Sequence, residues 1–159
     1  MEEQASLFFD HGLDANIVLE KVKGEGVDPN FTSLHYCAQY GALKVLLGLI
    51  GRGAGVDPPD SNGRTPLMIA IDRNHSILAR SLIELGAELD YKDNFQRSPL
   101  MYACKMGNKE IVELMLKFKA DVKITNSVGD TCVSMAQKSG NAHEIMMLLV
   151  QSGASLRPG

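Results

Sequence analysis

The strongest constraint in this sequence is a period of 33 residues. Thr32-Ser33-Leu34, Thr65-Pro66-Leu67, Ser98-Pro99-Leu100 and Thr131-Cys132-Val133 stand in one register. Gly41, Asn74, Gly107 and Gly140 keep the same spacing, and so do Gly53-Ala54, Gly86-Ala87 and Lys119-Ala120. Ala38, Ala70, Ala103 and Ala136 fall close to it, the first shifted by one. Self-similarity at a fixed period of this size is the mark of a stacked repeat architecture. One such triplet could be accident, but several positions at one period are not.

Each copy reads as two short helices. In the third, Ser98 is placed to cap a helix and Pro99 suits its first turn, where no N–H is needed. Leu100, Ala103 and Cys104 recur at helical spacing. Gly107-Asn108 ends that helix, because glycine tolerates the left-handed conformation. Ile111, Val112, Leu114, Met115 and Leu116 form a second apolar stripe. Glu110 and Glu113 favour its start through the helix dipole, and Lys117 and Lys119 its end. Helices this short do not persist alone in water, so each copy must bury its apolar face on the next.

Asn62-Gly63-Arg64-Thr65-Pro66-Leu67, Gly86-Ala87-Glu88-Leu89-Asp90, Gly129-Asp130-Thr131 and the pair Leu34-His35 make the chain resemble the ankyrin repeat family over roughly Pro29 to Ser155. The resemblance implies an all-α repeat solenoid, built from helix-loop-helix plus hairpin units. It divides the chain into a capping repeat at 1–28, repeats at 29–57, 58–90 and 91–123, and a second capping repeat at 124–155. Ser6 to Val27 form a degenerate copy in which Gly12 and Val27-Asp28 are weak echoes. The first hairpin is shorter than its counterpart at Val56–Thr65, and the last copy has an extra residue near Ala142-His143. Cys132 stands there in place of the usual proline.

The family binds other proteins through hairpin tips and the outward side of the first helix, which together line a concave face. The matching positions here are Phe31, Gln39 and Tyr40, then Asn62, Arg64, Asp72 and Arg73. The third copy supplies Asn94, Phe95, Arg97, Lys105 and Met106, and the fourth Val128, Asp130, Lys138 and Ser139. Five of these are basic (Arg64, Arg73, Arg97, Lys105, Lys138) and two acidic (Asp72, Asp130), although the whole chain carries a formal charge of -3. Aromatic residues, methionine and arginine are what protein interfaces centre on. The expected partner is a protein segment with acidic residues beside apolar anchors. Arg64 and Arg97 would meet its carboxylates in forked hydrogen bonds. Phe95 would be the central contact, flanked by Tyr40 and Met106. The competing reading gives these side chains ordinary structural work: solvated arginines, Phe95 folded over its hairpin, Tyr40 and Met106 packed between copies.

Other chemistries find little support. An acidic balance argues against broad nucleic-acid binding. No stretch approaches the ~20 apolar residues of a membrane span, and Met1–Ala5 is unlike a signal peptide. His11, His35, His75 and His143 lie in separate copies without metal-ligand spacing, and His35 matches the family's structural helix-start histidine. Gly51–Gly55, GRGAG, follows a helix and lacks the lysine and hydroxyl of a phosphate loop. Cys37, Cys104 and Cys132 read as small buried thiols, which points to a reducing cytoplasmic or nuclear setting. No catalytic residue, cofactor or metal is expected. Asp28, Asp57, Asp90 and Lys123 occupy the positions where the family often carries a modifiable asparagine. The expected roles are therefore an adaptor, inhibitor or scaffold, or a regulatory domain contacting another part of a larger polypeptide.

Overall fold

The computed structural model describes residues 28–156. The expected capping unit at 1–28, with His11, lies outside them except for Asp28. Eight helices follow in pairs: α1 (Ser33–Tyr40) and α2 (Leu43–Gly51), α3 (Pro66–Asp72) and α4 (Ser76–Glu84), α5 (Pro99–Met106) and α6 (Lys109–Lys117), α7 (Cys132–Ala136) and α8 (Ala142–Gln151). The first helix of each pair packs on the first helix of the next, so α1, α3, α5 and α7 form an inner row. Behind it, α4 packs on α6 and α6 on α8. The described chain is thus an all-α solenoid.

The periodic positions become one continuous core. Leu34, Leu67 and Leu100 are fully buried, as are Ala38, Ala70, Ala103 and Ala136 on the same row. The alanines let neighbouring helices approach closely. The leucines fill the space between, each worth roughly 2–3 kcal/mol of transfer free energy. Leu46, Leu82, Met115 and Leu149 bring the outer row to the same core.

Helix starts differ in detail from the expectation. Thr65 accepts from the Met68 N–H at 3.4 Å, and Thr131 from the Ser134 N–H at 3.2 Å. Ser98 holds the same extended backbone, but its hydroxyl caps nothing and is buried without a partner. A threonine's branched Cβ restricts χ1, and serine lacks that restriction. In the last copy the extra residue is absorbed by lengthening: α8 has 10 residues where α6 has 9.

His35 ties two units together. Its Nδ1 accepts from the Thr32 N–H at 3.0 Å, and its Nε2–H donates to the Arg64 carbonyl at 3.0 Å. That is the neutral ring, with both nitrogens used. His75 and Asn141 make parallel cross-unit links, donating to the carbonyls of Gln39 (3.1 Å) and Gly107 (2.8 Å).

Two stability measurements follow. Burial holds the His35 pKa below its ordinary value, against the opposing pull of the Arg64 carbonyl, Asp60 and Asp28. The unfolded chain therefore takes up a proton near pH 6.5 before the folded one does, so stability is full above that pH and falls as pH drops through it. The urea midpoint should decline from pH 7.5 to 5.5, and a His35→Asn variant should decline less. Separately, Lys119 sits at φ 65°, where the other units place Gly53, Gly86 and Gly153. Lys119→Gly relieves a left-handed side-chain penalty of about 1 kcal/mol and should raise the urea midpoint.

Candidate functional site

The hairpin tips are built around one acceptor each. Asp60 Oδ1 accepts from the N–H groups of Asn62 (2.9 Å) and Arg64 (2.8 Å). Asp93 Oδ1 does the same for Phe95 and Arg97, both at 2.9 Å. Asn126 repeats it for Val128 (3.0 Å) and Asp130 (2.8 Å). The tips are also joined: the Asn94 N–H donates to the Asn62 carbonyl at 3.0 Å, and the Ser127 N–H to the Phe95 carbonyl at 2.9 Å.

This arrangement changes the role of two expected contact residues. The second oxygen of Asp60 receives Arg64 Nε at 2.9 Å, and that of Asp93 receives Arg97 Nε at 2.8 Å. Both carboxylates are buried, so the guanidinium groups are held by their own hairpins rather than left open as forks. About a quarter to a third of each arginine side chain remains exposed, 30% for Arg64 and 26% for Arg97. Arg97 is held further between two rings, 4.9 Å from both the Phe95 and Tyr102 centroids. Tyr102 completes the cluster by donating its hydroxyl to Asp93 at 2.7 Å, and burial with that bond pushes its pKa up. In the fourth unit the chemistry is inverted, with Asn126 at the acceptor position and an acid, Asp130, in place of the arginine.

Of the other expected residues, Tyr40, Arg73, Phe95, Lys105, Met106, Val128 and Lys138 are exposed, while Phe31, Gln39, Asp72, Asp130 and Ser139 are half-buried. Phe95 stays 55% exposed although Arg97 covers one face of its ring. Tyr40 and Met106 are exposed at the ends of α1 and α5. Arg73 caps the end of α3 and Lys105 lies in the last turn of α5. Both are exposed, and neither has an ion pair among the described residues. Tyr40 has a neighbour the sequence reading passed over: Tyr36, exposed, with ring centroids 4.7 Å apart. Phe31 leans edge-on against Tyr36 at 6.5 Å and stacks on His35 at 5.1 Å. The 33-residue register gave no signal for it, since Tyr36 aligns with Ile69 and Tyr102, which are buried.

Among the described residues, no group of three His, Cys, Asp or Glu side chains is placed to hold a metal ion. Cys37, Cys104 and Cys132 are buried free thiols, with burial pushing Cys37 up to about 12. No described helix is long and apolar enough to cross a membrane.

Part of the chain is 36% identical over 67 residues to the ARF GTPase-activating protein Git of Drosophila melanogaster, a match covering 38% of this chain and 9% of that protein. Another part is 33% identical over 86 residues to mouse Rabankyrin-5, covering 52% of this chain and 7% of that protein. The chain thus spans less than a tenth of the length of these relatives.

The tip acceptor yields a graded test. Asp93→Asn keeps an oxygen for the backbone, as Asn126 does naturally, and should cost about 1 kcal/mol by releasing Arg97. Asp93→Ala leaves the Phe95 and Arg97 N–H groups without their acceptor and should cost about 2–3 kcal/mol in chemical denaturation.

The model for ankyrin repeats, in three copies, matches residues 7–93, 34–126 and 78–158, and the chain belongs to the ankyrin repeat family.

Proposed function

We propose that this chain is a protein-binding module, an adaptor, inhibitor or scaffold, that holds a partner segment on the face made by its hairpin tips and inner helices. In the family's pattern this is the concave face. The observation that carries the reading is a contrast within one surface. The hairpin arginines are matched by their own carboxylates, yet Tyr40 and Met106 stay exposed at inner-helix ends where Arg73 and Lys105 also lie, and Phe95 stays exposed at a hairpin tip. Exposed aromatic and thioether groups next to unmatched cations suit a segment with acidic residues and apolar anchors. Arg64 and Arg97 contribute chiefly by fixing the tips, and their exposed edges add to the positive surface. Ankyrin repeats mediate protein–protein contacts as a family rather than catalysis, which is the ground for a non-enzymatic role here. The three free thiols support a setting in the cytoplasm, the nucleus or both.

A second reading has its own support. The relatives matched here are far longer than this chain, which favours a domain that contacts another part of a larger polypeptide. Such a contact would use the same surface physics.

The test uses the apolar members alone. A Tyr40→Ala, Phe95→Ala, Met106→Ala variant should keep its circular dichroism and lose only modestly in urea midpoint, because the three side chains are exposed but Phe95 and Tyr40 also touch Arg97 and Tyr36. It should lose, in affinity capture from lysate, a protein that the wild type retains. A partner retained equally by both would move the contact off this face. No partner in trans, together with a contact to a flanking domain that the variant loses, would establish the second reading.

A further inference from the structure

Among the described residues, Arg64, Arg97, Arg80 and Lys109 are paired with Asp60, Asp93, Glu110 and Glu144. Lys44, Lys92, Lys117, Lys119 and Lys123 are exposed without an ion pair, and so are Arg73, Lys105 and Lys138. What sets the last three apart is a shared place in the repeat. Lys105 and Lys138 are 33 residues apart, and Arg73 stands one position beyond the matching site of the preceding unit. Each lies at the C-terminal end of an inner helix: Arg73 at the cap of α3, Lys105 in the last turn of α5, and Lys138 just beyond α7. The same position in the first unit holds no cation. It ends instead in Gln39-Tyr40, with Tyr36 against Tyr40. One row across the stack therefore reads aromatic pair, cation, cation, cation. Its only acid is Asp72, beside Arg73.

The spacing sets what fits. Packed helices lie about 8–10 Å apart, so the cations recur at about that interval. An extended polyproline-II chain advances about 3.1 Å per residue with three residues per turn, so every third side chain faces the same side at about that interval. An α-helical ligand returns a side chain to one face about every 5.4 Å, so neither one turn nor two falls within that interval.

We propose that the partner segment is an extended acidic peptide that runs across the repeats. It offers one carboxylate per unit to Arg73, Lys105 and Lys138 in turn, and seats an apolar residue on Tyr36 and Tyr40. This rests on the binding role proposed above and gives it a register: the partner is recognised by the spacing of its acids rather than by their number.

Synthetic labelled peptides test the register directly by fluorescence anisotropy. One carries a leucine followed by glutamates about three residues apart, made in both chain directions. A second has the same composition with contiguous glutamates. A third is locked helical with its glutamates on one face, and an oligothymidylate of equal charge is the fourth. The spaced peptide, in one of its directions, should bind about tenfold tighter than the contiguous one and weaken with added salt. The Arg73→Glu, Lys105→Glu, Lys138→Glu variant should lose about tenfold in affinity for it. Cations at helix ends also favour their own helices. An Arg73→Gln, Lys105→Gln, Lys138→Gln variant, with its urea midpoint measured alongside, separates lost binding from lost folding. Equal affinity for spaced and contiguous peptides, tighter binding of the helix or the oligonucleotide, binding unaffected by neutralisation, or no binding of any spaced peptide would each overturn the register. If that happens while the apolar triple variant still loses a captured partner, the binding role stands and only the cation row is dismissed.

Discussion

A helix of eight or nine residues cannot hold itself together in water. Nucleation costs more than so few hydrogen bonds return. Every inner helix here is of that size or smaller, down to the five residues of α7. Their existence depends on burying one side against a neighbour, and the alanine row at Ala38, Ala70, Ala103 and Ala136 allows that neighbour close enough to matter. The remaining features serve this contact. Thr65 and Thr131 cap the starts of α3 and α7, left-handed Gly41, Asn74 and Gly107 follow the ends of α1, α3 and α5, and the cross-unit bonds of His35, His75 and Asn141 set how one pair sits on the next.

The hairpin tips solve a different problem with a repeated device. A tight turn leaves backbone N–H groups pointing inward, where water does not reach. One carboxylate or amide oxygen at Asp60, Asp93 or Asn126 takes two of them at once. The charge this brings inside is then met by an arginine four residues on, or avoided by using asparagine. Two solutions to the same turn therefore coexist in adjoining units, and each leaves a different surface charge at the rim.

The sequence made the fold legible because the period is carried by residues with steric duties: small ones at the helix contact, a branched hydroxyl or serine at the cap, glycine at turns. It misjudged Ser98, whose backbone position is right but whose hydroxyl finds no N–H to cap. The candidate face was half legible. Register alone identifies which positions point outward, as Tyr40, Phe95 and Met106 do. It does not reveal that Arg64 and Arg97 are engaged, because the partner lies four residues upstream in a loop, where helical spacing rules do not apply. The i to i+4 pairing of Asp60 with Arg64 and of Asp93 with Arg97, repeated one period apart, was the signal. Tyr36 was overlooked for the opposite reason: its aligned residues Ile69 and Tyr102 are buried, and only the first unit leaves that position open.

The brevity of α7 has a consequence for timing as well as for structure. In a linear array each unit is supported only by its neighbours, so a pair with a five-residue inner helix opens more readily than one with eight. A ligand that needs Lys138 in place meets a surface that is complete only while the α7–α8 pair is docked, and its apparent affinity is reduced by the fraction of time it is not. A ligand confined to α3 and α5 escapes that reduction. The reach of a bound segment along the stack would thus set how strongly its hold is coupled to hydrogen-exchange protection of α7 and α8.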